Sequence, residues 1–596
     1  MRKCILLSLP VLLFSCSSPQ NESAFVEQPG LDSLLASFYQ DYLKFAPLNA
    51  TIIGDNRYDD KLPNTITVAY RDELKNLYTR YRDELTSYDR NSLTEADKLN
   101  YDVLVWECDI ALESLKFKDY LMPINQFSSM HLNVGQMASG SGIHPFKTVK
   151  DYDNWLSRLN QYVAWCDSAI VNMKKGVVLG YVIPKALVKK AIPQFVSMDH
   201  GPVEDHLYYS PVKMMPADFS TEDKARLTKA YADMVRDHII PAHKRVSDYL
   251  TNEYMKAARE TSGIDAVPAG REYYGFLIKY WTTTSMTADE VFALGKNEVE
   301  RITKEMEAVK EQVGFKGDLK AFFASLSTNK KLKPFTDPNQ VIANFNAIHE
   351  RMKPNLARLF EKTPKMPFEV RRTEAFREAS AAAEYMPGSK DGTRPGVFYV
   401  PIPDVKNYSI LASEDLFLHE AIPGHHYQIA LQFENNTLPE FRTILGYGAY
   451  SEGWGLYSES LGKELGLYTD PYQYFGMLSA EMHRAIRLVV DAGMHTQGWT
   501  REQAIQYSRD HEANTEQSII AEIERYMSIP GQALSYKVGH LKILELRAKA
   551  EKELGDKFNI AKFHSEVLDS GSIPLKLLEE RINRWIESVK GDREIG

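Results

Sequence analysis

Within residues 413–432, SEDLFLHEAIPGHHYQIALQ, histidines and a glutamate stand at spacings that can bind and use a metal ion. His419 and Glu420 are adjacent, and His425 and His426 follow. In zinc hydrolases built on His-Glu-x-x-His, the two histidines lie one helical turn apart on one face and the glutamate activates the attacking water. Here Pro423 stands where the second histidine would fall. Proline has no N–H, and its ring clashes with the carbonyl four residues back, which belongs to His419. The helix is therefore expected to bulge or unwind, with Gly424 supplying backbone freedom. On an undistorted helix His425 would point about 120° away from His419. A bulge holding two extra residues returns His425 to the metal side, whereas a single π-type turn suits a spacing of five. His425 is favoured as the second ligand. His426 is the alternative, and otherwise a group on the substrate side.

A third ligand is expected from a carboxylate on a following helix. The segment YSEGWGLYSE, residues 450–459, places Glu452 near a helix start. It resembles the Asn-Glu-Gly-aromatic-Ala segment of gluzincins, and the resemblance implies Glu452 as the third ligand. Glu459, two turns on, is placed to orient a ligand from behind. A lone His-Glu pair or a His-His dipeptide is usually an ordinary surface or core feature. The combination of His-Glu, Gly-His-His and Glu-Gly-Trp points to zinc.

Hydrolysis of a carbonyl compound also needs a donor for the developing oxyanion. Tyr536, in a block containing Arg525-Tyr526 and PGQALSYK (530–537), is the candidate, with Arg525 or Lys537 to hold a substrate carboxylate. The plainer alternative is that Pro-Gly starts a helix whose tyrosine packs in the core. Residues 396–402 suit an edge strand beside the metal, which would offer backbone groups and Tyr399 to an extended peptide. Pro401 is compatible with an edge. Arg484, Arg487, Asp491 and His495 recur at spacings of three and four, as an active-site wall or as a salt-bridged face.

The elements that must position these residues are mostly helices. Helical periodicity covers about 71–85, 95–117, 338–361, 455–466, 474–495, 501–513, 540–554 and 574–589. Ser220 to Asp223 and Thr287 to Glu290 carry capping-box spacings. Two β-rich runs, 366–372 and 396–402, flank a turn-rich loop, EYMPGSKDGTRPG. The expectation is a mainly α fold with a small β-sheet beside the active site. The division expected is a signal segment 1–15, a tether 16–30, an N-terminal helical region 31–262 and a catalytic region 263–596. Gly, Pro and small residues cluster at the loose boundary, 261–270.

The chain has 596 residues, 44% hydrophobic and 25% charged, with a net charge of −9. A nucleic-acid partner, which calls for a basic face, is not expected. Arg2 and Lys3 precede an apolar run, 5–14, too short to span a bilayer as a mature helix. It reads as a secretory signal. Leu13-Phe14-Ser15-Cys16 resembles a bacterial lipobox, which implies a lipid on Cys16, membrane attachment and a place in the cell envelope. A plain signal with an incidental cysteine is the alternative. Cys108 and Cys166 are free to pair or to stay as buried thiols, and no cysteine metal cluster is expected.

HEAIPGHHYQ, YSEGWGLYSE, RYMSIPGQALSYKVG and RPGVFYVPI (394–402) resemble the signature blocks of the bacterial domain-of-unknown-function 885 family over nearly the whole mature chain. The resemblance implies a largely helical, zincin-related metallopeptidase fold, often on a lipoprotein, and leaves the substrate open. The reading is a membrane-anchored zinc peptidase acting on a peptide, with Glu420 as general base. A helical lipoprotein that binds glycans or peptides for uptake, without catalysis, is the competing class.

Overall fold

The computed structural model describes residues 30–591 except 141, 375–377, 379–380 and 389–393. The signal segment, Cys4, Cys16 and the tether up to residue 29 lie outside the described residues. The elements used below are α1 (Ala288–Gln312), β1 (Phe368–Arg372), β2 (Glu384–Met386), β3 (Gly396–Val400), α2 (Ser413–Glu420), α3 (His425–Glu434), α4 (Gly448–Ser460), α5 (Pro471–Thr496) and α6 (Leu534–Leu554).

Helices dominate, at about 70% of the chain, because apolar residues recur at helical spacing and local caps fix the ends. At α1 the Thr287 hydroxyl accepts from the Glu290 N–H at 3.3 Å, and the Glu290 carboxylate accepts from the Thr287 N–H at 2.8 Å. This reciprocal pair satisfies donors that a helix start leaves open. At Ser220 the hydroxyl accepts from the Asp223 N–H at 3.0 Å. Three boundaries differ most from the periodicity. Helix α4 spans Gly448–Ser460 rather than 455–466, and α6 starts at Leu534 rather than 540. Glycines at 448, 453 and 455 each weaken intrinsic helicity by about 1 kcal/mol. Packing of α4 along α6 overrides that loss.

The sheet corrects an expectation. Its order is β1-β3-β2, so β3 is the central strand and not an edge. β1 runs parallel to it, with Arg371 opposite Tyr399, and β2 runs antiparallel, with Tyr385 opposite Phe398. The start of the expected loop supplies β2 and covers the flank that sequence alone left open. Every residue of β3 is buried, and Pro401 falls just beyond its last ladder position.

One hydrophobic core runs from Leu31 to Ile586 across the expected 262/263 boundary. Phe38 packs edge-on against Phe441, with centroids 6.0 Å apart. The Tyr447 hydroxyl donates to Glu107 Oε1 at 2.6 Å. Cys108 and Cys166 are buried free thiols.

Arg442 ties the two regions most directly. It is buried and donates to Asn100 Oδ1 at 3.0 Å and to the Ser570 and Ser572 carbonyls at 2.6 and 3.3 Å. Arg442→Met keeps the stem but strands these acceptors. We expect a loss of about 3 kcal/mol, measured by urea unfolding. A variant as stable as the parent contradicts this role.

Candidate metal centre

Helix α2 ends at Glu420, and α3 restarts at His425. Residues 421–424 leave the helical path, with Ala421 at φ −108°, ψ −104°, and the Ile422–Pro423 peptide is cis. The break is thus larger than a bulge. Gly424 is required by close approach, since a Cβ there would stand 1.9 Å from the His419 carbonyl oxygen. The Trp454 indole N–H donates to the Pro423 carbonyl at 2.8 Å and fastens the break to α4.

This path brings His425, not His426, to His419 and Glu452. One potential ligand atom from each of His419, His425 and Glu452 lies within 4.8 Å of the others. Both Nε2 atoms are 3.5 Å from Glu452 Oε2. That is long for an N–H···O hydrogen bond. It is close to the edge of a tetrahedron around a zinc ion, about 3.3 Å for ligands near 2.05 Å from the metal. The His419 and His425 rings stand at 87° to each other. Glu452 and His425 side chains keep 23% and 15% of their exposure, so a small ligand can reach the triad.

Behind His419, its Nδ1 meets Glu459 Oε1 at 2.6 Å. With the proton on Nδ1, the Nε2 lone pair faces the triad, the usual arrangement behind a metal-binding histidine. Gly455 permits this placement: a Cβ there would lie 2.7 Å from His419 Cε1. Burial opposes charging of His419, yet Glu452 and Glu459 beside it raise its pKa well above the ordinary value. Burial likewise opposes ionisation of Glu452, yet the two imidazoles hold its carboxyl well below the usual range. Burial raises the Glu420 carboxyl. Three glutamates thus crowd a poorly hydrated space, which a divalent cation would neutralise. The donor set fits zinc.

Asp415, one turn before His419, suits a helix's first turn by its type but is not among the residues expected at the site from sequence. Burial and the neighbouring Glu459 push its carboxyl well above the usual carboxylate range. The spacing of four to His419 was the available signal. Glu414 and Asp415 are both buried rather than solvated at a helix start; Glu414 accepts from Arg351 at 2.5 Å.

Other expected site residues fall elsewhere. His426 faces the sheet, where its Nδ1 meets the Tyr385 hydroxyl at 2.9 Å and its ring packs on Phe368. Tyr399 lines a cavity of about 520 Å³ with His131, Gln136, Gln194 and Glu384. Lys537 does not suit a substrate carboxylate. It is fully buried and bonded to Glu481 at 2.6 Å, Glu298 at 2.9 Å and His540 at 3.2 Å. Arg525 is engaged by Glu522, Gln532 and the Phe127 ring. Tyr536 packs against Arg487 and Arg484, whose guanidinium carbons lie 4.6 and 6.0 Å from its ring centroid. Of the α5 series, Asp491 binds Tyr274 and the Gly531 N–H, and His495 binds the Tyr526 carbonyl, so both are structural. A second cavity, of about 460 Å³, reaches Glu459 from the side of Glu298, Arg301 and Lys463.

Two solved structures resemble this one over nearly its whole length. A candidate lipoprotein from Colwellia psychrerythraea is 28% identical, with a TM-score of 0.85, covering 94% of this chain and 99% of its own. A candidate lipoprotein of unknown function from Shewanella oneidensis is 19% identical, with a TM-score of 0.73, covering 93% and 99%; that likeness is one of fold. No curated protein matches significantly. The profile of a family described as "bacterial protein of unknown function (DUF885)" matches residues 47–582.

The geometry separates adjacent histidines. We expect His425→Ala to lose bound zinc and His426→Ala to keep it, by elemental analysis after dialysis. Glu459→Gln should weaken zinc binding about 10–100-fold in chelator competition. Metal loss on His426→Ala with His425→Ala unaffected would reverse the assignment.

Proposed function

We propose that this chain, which belongs to the bacterial DUF885 family, is a zinc-dependent hydrolase of the cell envelope, and that it cleaves peptide bonds. The observation that carries the reading is the spacing of His419, His425 and Glu452, with Glu459 holding His419 from behind. When bound, zinc would supply Lewis-acid polarisation of a carbonyl and of water.

The chain's own groups divide the remaining work. Glu420 follows His419 directly, so it projects toward a neighbouring face and is not one of the three ligands. Its carboxylate takes a proton from the attacking water and delivers it to the leaving nitrogen. Burial, which raises its pKa, makes the carboxylate a stronger acceptor for the first half of that exchange. Tyr536 is the candidate donor to the oxyanion; no hydrogen bond commits its hydroxyl among the described residues. His426 and Tyr385 fix α3 to the sheet and keep His425 at the start of its helix. The likeness to a candidate lipoprotein supports a lipid on Cys16 as the anchor.

We expect about one zinc per chain and cleavage in a mixed-peptide screen read by mass spectrometry. Glu420→Gln should keep its zinc and lose at least about 10²-fold in rate, whereas Glu452→Gln should lose the metal itself. Protein that takes up no zinc sinks the hydrolase reading and leaves a binding lipoprotein. Full activity of zinc-loaded Glu420→Gln removes Glu420 as the base.

Anchoring is tested separately. Cys16→Ala should abolish acylation and move the protein to the soluble fraction of the envelope. Unchanged membrane association means that something other than the lipid retains it.

A further inference from the structure

Among the described residues, the arginines around the site are paired with carboxylates. Arg301 meets Glu298, Glu305 and Glu481; Arg351 meets Glu414; Arg487 and Arg525 meet Glu522. Arg484 differs. Its one hydrogen bond runs to the Ala480 carbonyl of its own helix, at 3.4 Å, and its Nε is buried without a partner. One turn on, Arg487 is 5% exposed, and its Nη1 is also buried without a partner. The two guanidiniums flank Tyr536. An arginine cannot shed its charge as a buried lysine can, and buried donors left unmade are costly. Such a cluster is suited to an anionic group of a ligand, which a guanidinium grips through paired N–H donors. Helix α5, which carries both arginines, packs against α2, which carries His419 and Glu420, and the Arg484 charge acts on Glu420, Glu459 and Asp415.

We infer that Arg484, with the unpartnered Nη1 of Arg487 beside it at the Tyr536 ring, holds a carboxylate of the substrate, so that the preferred substrates are peptides with a carboxylate close to the scissile bond. That carboxylate is either the chain terminus or an acidic side chain. The site's place in catalysis rests on the hydrolase reading, but its occupancy does not.

Binding is therefore measured apart from turnover. Zinc-treated Glu420→Gln protein is titrated calorimetrically with three short N-acetylated peptide sets: free C-termini, C-terminal amides, and amides containing Asp or Glu. We expect the first or third set to bind at least about tenfold more tightly than plain amides, and Arg484→Gln in that background to abolish the difference. The set that binds identifies the source of the carboxylate. Arg484→Lys, which keeps charge without the planar fork, should restore part of the preference. Zinc content and thermal unfolding verify that the variants are folded and loaded. A preference that survives Arg484→Gln overturns the inference. So does equal binding of all three sets, or an equal loss of affinity for all three on Arg484→Gln, which would make Arg484 a counter-charge to the acidic cluster. Carboxylate-selective binding without cleavage by the parent protein would retain this inference and remove the peptidase.

Discussion

Ala421 to Gly424 leave the helical path between His419 and His425, and the rest of the site depends on how that short break is held. A continuous helix would turn His425 away from His419 by about a third of a circle. With the chain broken, α2 and α3 become separate helices whose axes are free to differ, and both histidines can face one carboxylate on α4. The break is not loose. Gly424 presses its Cα against the end of α2, where no side chain fits, and Trp454 spans from α4 to the Pro423 carbonyl. The tryptophan of the Glu-Gly-Trp segment thus serves the same purpose as the glutamate two residues before it.

Charge is the second constraint. Glu420, Glu452 and Glu459 converge where water is scarce, and burial alone would drive each toward its neutral form. Asp415 adds a fourth carboxyl beside Glu459, and burial together with that neighbour pushes it well above the usual carboxylate range. His419 relieves part of that crowding by donating to Glu459 from Nδ1. The chain Asp415–Glu459–His419 fixes both the ring's orientation and its tautomer, which a metal ligand needs and a surface histidine does not.

A motif block can mix chemistry with support. In PGQALSYKVG, Tyr536 faces two arginines on α5, while Lys537, the next residue, turns about 100° around the helix to pair, fully buried, with Glu298 and Glu481. Burial opposes ionisation of Glu481, yet the cations around it hold its carboxyl down to about 2. That cluster joins α1, α5 and α6 behind the metal site and keeps the walls in register. His426 and His425 divide in the same way, one toward the sheet and one toward the triad.

The mainly helical fold, most helix limits, the caps, and His419, Glu452 and Glu459 as site candidates were legible along the chain, with His425 favoured over His426. These follow from periodicity, side-chain chemistry and the effect of proline, all of which act within a few residues. Tertiary structure decided what depends on distant neighbours. It placed β3 in the centre of its sheet, because β2 emerges from a segment that looks like a loop. It extended α4 and α6 past their weak ends, because each packs against the other. It enclosed Lys537, raised the Asp415 carboxyl and left Arg484 without a salt bridge among the described residues. The fate of a buried charge depends on which side chains converge on it from other helices, and no local pattern along the chain records that.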